Sequence, residues 1–128
     1  MFHVEYDTRA SALILTVRGF WKPEDVVAFA ASVRAGAQEA TAIRPDFDVL
    51  VDSLDFPVQA NSVADLLSAI MRDGMTLTTG HAAVVVGSYL NKAQAERTLV
   101  HPRVRMFLAL ADARQWLAAQ RDAGATSV

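Results

Sequence analysis

The sequence contains no cysteine. That excludes a disulfide scaffold, a thiolate zinc site and a thiol nucleophile. It also leaves cysteine usage silent about redox compartment. Nor is there a basic excess: 12 Lys and Arg stand against 14 Asp and Glu, a formal charge of −2. Holding a phosphate backbone needs such an excess, so nucleic acid is not an expected partner. No apolar run approaches the roughly 18 residues that span a bilayer, so no transmembrane segment is expected. The opening residues, Met1 to Asp7, carry acidic charge and no basic stretch, unlike a signal peptide. A cytoplasmic location is the resulting expectation. Phosphate-binding glycine loops of the G-x-G-x-x-G and G-x-x-x-x-G-K-[ST] types are missing, as is a G-x-S-x-G elbow. His3, His81 and His101 lie on separate segments, without metal-ligand spacing. The expectation is therefore no metal, no cofactor and no enzyme.

What is present is a globular composition. The 128 residues are 52% apolar and 20% charged. A chain of this length buries roughly two-thirds of its unfolded surface in one core. No repeat or linker interrupts it, so residues 1–128 are expected to form one domain. Small residues make 121–128 a loosely held tail.

Apolar periodicity then sets the elements. Phe2, Val4 and Tyr6 alternate with polar residues, and Leu13 to Val17 follow after a hairpin-length connection. These are expected to pair antiparallel. Pro23, Glu24 and Asp25 suit the first turn of a helix. Val26, Phe29, Val33 and Ala37 recur at helical spacing, until Ile43-Arg44-Pro45 ends the segment. Residues 47–52 and 82–86 are apolar on both faces, the mark of central strands. Between them a helix stripe of Val63, Leu66, Leu67, Ile70 and Met71 starts near Asn61 or Ser62, and Gly74 offers a C-cap. A third helix covers about Tyr89 to Leu99. Val104, Met106 and Leu108 alternate with Arg103, Arg105 and Phe107, as in a half-exposed or edge strand. A last helix runs from about Ala111 to Gln120. The order β-β-α-β-α-β-α-β-α demands a mixed, mostly parallel sheet with helices, an α/β fold.

Three segments carry a family resemblance. They are Leu50-Val51-Asp52-Ser53-Leu54-Asp55-Phe56, Ala83-Val84-Val85-Val86-Gly87 and Ala113-Arg114-Gln115-Trp116-Leu117. In this order and spacing, over roughly residues 2 to 119, the chain resembles the SpoIIAA-like (STAS) family, in particular its bacterial STAS/SEC14-type members. The resemblance implies the SpoIIAA-like fold. It also implies a switch serine after the third strand, which falls on Ser62. Here the chain departs from the family turn. It reads Ala60-Asn61-Ser62-Val63, without the Asp before the acceptor or the Gly after it. That departure argues against anti-sigma-antagonist regulation.

Each candidate residue has a functional and a plainer reading. Ser62 is a phosphoacceptor or, more simply, a helix N-cap, a role Asn61 could share. Asp52, Ser53 and Asp55 follow a buried strand at the carboxyl edge of the sheet, where ligands of open α/β sheets gather. Their plainer role is loop capping by side-chain hydrogen bonds. Arg97, His101, Arg103 and Arg105, with Lys92 upstream, form a basic concentration suited to an anion or lipid head group. The plainer reading is a solvated face that blunts an edge strand. Phe20 and Trp21 either close the core or present a contact surface. The leading expectation is a non-enzymatic regulatory or protein-interaction module, acting through residues 53–65. The alternative is a binder of a lipid or other small apolar ligand, in a cavity lined by Val63, Leu67 and Met71. A homodimer is also conceivable at this size.

Overall fold

Nine elements follow in the expected order in the computed structural model, which describes residues 1–126. They are β1 (Phe2–Asp7), β2 (Ala12–Val17), α1 (Pro23–Ile43), β3 (Asp48–Ser53), α2 (Asn61–Met75), β4 (Ala82–Val86), α3 (Tyr89–Thr98), β5 (Val104–Phe107) and α4 (Leu110–Thr126). Among the described residues, no helix is long and apolar enough to cross a membrane.

The hairpin forms because Asp7 satisfies its turn: the carboxylate accepts the N–H groups of Arg9 and Ala10. Ser11 takes a positive φ of 53° there. β1 then pairs antiparallel with β2, Phe2 opposite Val17 and Tyr6 opposite Leu13. The other pairings are parallel, in the spatial order β1-β2-β3-β4-β5. β3 is central, as its two-faced apolar pattern predicts, and the four-residue β5 is an edge.

The period of two divides the sheet into two unequal faces. Leu13, Leu15, Val17, Val84 and Met106 point to the face covered by α1, α2 and α3. Ile14, Leu50, Ala83 and Val85 point to the other, where α4 seats Ala113 and Leu117. α1 begins at Pro23, and Asp25 accepts the N–H of Lys22 at 2.8 Å. It buries Val26, Phe29, Val33, Ala37 and Ala40, the expected stripe extended by one turn.

At the amino ends of the parallel strands, charges tie the elements together. Arg44 donates to Asp46 at 2.6 Å, and Arg121 reaches Asp46 at 3.2 Å and the buried Asp48 at 2.9 Å. The Arg44 hydrogen bond holds the Asp46 carboxyl below its ordinary value.

Three boundaries differ from the sequence expectation. α4 continues to Thr126, because Arg121 anchors its last turns to Asp46 and Asp48; the segment expected as a loose tail is thus helical from 121 to 126, and 127–128 lie outside the described residues. α2 runs past Gly74 to Met75, closing on Thr76, which bonds the Asp73 carbonyl through both N–H and hydroxyl. Its N-cap is Ala60, without a side-chain cap bond, so Asn61 and Ser62 are the first two helical residues rather than caps.

Candidate functional site

Between the sheet and α1, α2 and α3 lies a cavity of about 170 Å³. Leu15, Val51 and Val84 form its floor, Phe29 and Val33 its α1 wall, and Leu67, Ile70 and Met71 its α2 wall. Two of the three residues expected to line such a cavity, Leu67 and Met71, do so. The third, Val63, is 1% exposed and packs in the core beside α1 instead. Leu66 also leaves the expected stripe and stands exposed.

The roof is α3, and its inward face is unusual. Asn91, Gln94, Ala95, Thr98 and Leu99 line the cavity at positions i, i+3, i+4, i+7 and i+8. Those are the positions that an ordinary packed helix fills with apolar residues. Here three are polar, and α3 buries no residue. Ser88 is the cap, its hydroxyl accepting the Asn91 N–H at 3.1 Å. The signal that would have revealed this roof is the polar residues on the sheet-facing stripe.

The carboxyl edge of the sheet is firmly tied. Ser53 is buried, and its hydroxyl donates to the Val85 carbonyl at 2.5 Å. Asp52 accepts the Leu54 N–H at 3.2 Å, the local capping bond expected of it. The Asp55 carbonyl receives the Gly19 N–H. Gly87 admits the close passage of this loop: a Cβ there would lie 2.5 Å from the Leu54 carbonyl oxygen. Phe20 and Trp21 divide between the two readings offered for them. Phe20 is exposed. Trp21 is buried in edge-on contact with Phe2, Phe29 and Phe56, with its indole N–H donated to the Arg18 carbonyl. Asn61 and Ser62 are exposed at the start of α2, next to this loop.

The basic concentration does not converge on one spot. Arg103 donates to the carbonyls of Met75, Thr78 and Gly80, tying the α2–β4 loop to β5. The His101 ring nitrogen accepts the Arg103 N–H. Arg105 lies over the Phe107 ring, 5.5 Å from its centre, and Arg97 is exposed at the end of α3. Lys92 pairs with Glu96 at 3.6 Å. Among the described residues, no three His, Asp or Glu side chains gather as a metal site would require. A second cavity of about 200 Å³ lies beside α4, Arg9 and Arg114. Its one largely buried cation, Arg121, is already matched by Asp46 and Asp48.

No family model matches the sequence, and no curated protein does. Among solved structures, this chain is similar to that of an uncharacterized protein from the DUF3478 family, with a SpoIIAA-like fold, from Shewanella loihica PV-4. The two share 14% identity and a TM-score of 0.64, over 91% of this chain and 92% of that one. Element order, sheet topology and this superposition agree with the resemblance carried by the three sequence segments: the chain has the SpoIIAA-like fold.

Proposed function

We propose that the protein is a non-enzymatic binding module that takes a small apolar ligand into the cavity beneath α2 and α3. The cavity itself carries this reading. Protein interiors are close-packed, and voids larger than a water molecule are few. The cavity is partly open to solvent and lined mainly by apolar side chains, so a ligand that fills it removes apolar surface from water. The volume is close to the ~150 Å³ of an engineered apolar cavity that binds benzene. It therefore suits a single ring or a short branched chain, and is too small for a diacyl lipid.

Native mass spectrometry of freshly purified protein tests this. The expected spectrum shows a small-molecule mass on the chain, lost at higher collision energy. A bare chain from every preparation counts against ligand uptake.

A second reading has its own observation. Leu54, Val58 and Leu66 are each 41% exposed around the start of α2, where Ser62 presents a free surface position. Such apolar exposure beside a helix N-terminus suits a protein partner, with phosphate at Ser62 as the switch. If Ser62→Ala and Ser62→Asp leave the affinity of every captured partner unchanged, the switch is wrong.

A further inference from the structure

The chemistry of the cavity wall goes further than its volume. We infer that the ligand is an uncharged molecule with one hydrogen-bond acceptor, which Asn91 and Gln94 bind against α3; this rests on the ligand-binding reading above.

Three observations support it. First, among the described residues, no side chain lining the cavity is charged. A carboxylate or ammonium inside would lose its hydration without a counter-charge, a penalty of several kcal/mol. Second, the other polar lining groups have their donors engaged. The Ser53 hydroxyl gives its proton to Val85 and that of Thr98 to the Gln94 carbonyl. Gln59 gives its two amide protons to Gly19 and Pro57. Third, the Asn91 and Gln94 carboxamides make no side-chain hydrogen bond with the described residues. They lie three residues apart on one face of α3, close enough to share one acceptor. Asn91 and Gln94 are partly exposed, so their amides stand at the rim of the cavity with donors available to a ligand that displaces water there. An acceptor on the ligand takes up those donors, while its apolar body meets Leu67, Ile70 and Val84.

Methyl NMR with three probes of similar size tests this: acetophenone, which has an acceptor; ethylbenzene, which has none; and benzoate, which is charged. Shifts of the Leu67 and Ile70 methyls report occupancy. Acetophenone is expected to bind roughly three- to tenfold more tightly than ethylbenzene, the effect of one or two net hydrogen bonds. Benzoate is expected to give no shift. In Asn91→Leu/Gln94→Leu, which the same spectra show to be folded, the preference is expected to vanish while ethylbenzene still binds. Equal binding of acetophenone and ethylbenzene, or a preference that survives the double substitution, overturns the role of Asn91 and Gln94 and leaves apolar uptake standing. Benzoate binding as tight as acetophenone overturns neutrality. Binding by none of the three overturns the cavity reading itself, and this inference with it.

Discussion

The buried carboxamide of Gln59 accepts the backbone N–H of Trp21 at 2.8 Å and donates to the carbonyls of Gly19 at 3.0 Å and Pro57 at 2.7 Å. One side chain thus joins the β2–α1 turn to the loop after β3. The second of these supplies Phe56, Pro57, Val58 and Gln59 to the cavity lining. Trp21 transmits that fixation to Phe29 and Phe56, two of the cavity-lining rings.

Gln59→Ala is expected to lower stability by about 2 kcal/mol, because it leaves buried backbone groups unpaired. Urea denaturation measures this. A loss within experimental scatter of zero would mean that water replaces the carboxamide and that the tie is weak.

Asp48 is buried and receives both Arg121 and the His81 N–H. Asp48→Ala strands the Arg121 guanidinium with only the half-exposed Asp46, and is expected to cost about 3 kcal/mol. Replacing both partners with apolar residues, as in Asp48→Leu/Arg121→Met, is expected to recover most of that loss. Thermal unfolding of the two variants side by side distinguishes a stranded charge from a packing defect.

The lowered Asp46 carboxyl makes stability depend on acid. A carboxyl depressed in the folded state contributes above its ordinary value of 3.8, and that contribution is lost as pH falls through the depressed value. Wild type should therefore exceed Asp46→Asn in unfolding free energy near neutrality, and the two curves should converge below about pH 4. Parallel curves down to pH 2 would show that the Arg44–Asp46 pair adds nothing.

α3 buries no side chain, whereas β3 and β4 lie in the middle of the sheet. Local opening is easiest where few apolar contacts must part. Hydrogen exchange is expected to be faster in 89–98 than in β4, and to slow in 89–98 when acetophenone is bound. Protection of α3 equal to that of β4 would show that this helix does not open locally.

Most of the architecture is legible in the sequence. The alternation in 2–6 and the apolar runs at 47–52 and 82–86 depend on neighbours one or two residues away. They specify which faces need cover, hence a mixed sheet with these two runs as inner strands. The stripe of α1 was legible for the same reason. Boundaries were less so. Nothing near Arg121 announces that its guanidinium reaches Asp46 and Asp48, more than seventy residues back in sequence, and holds the end of α4 as helix.

The residues singled out at the candidate site divide in the same way. Asp52 caps its own loop, a local bond that its residue type foretells. Arg103 looked like part of a cationic surface because sequence shows charge but not the carbonyls that a folded chain will bring to it. Ser62 has the chemistry of a cap, yet the cap position falls two residues earlier, on Ala60, whose carbonyl accepts the Ala64 N–H.

The sequence by itself determined the element order, the need for cover on both sheet faces, and the absence of thiol chemistry. These follow from residue type and short-range periodicity. Only the tertiary structure decided that α1, α2 and α3 stand far enough apart to leave a cavity, and that Asn91 and Gln94 line it. A void is a relation among elements distant in sequence, set by how their side chains meet, and no periodicity records it.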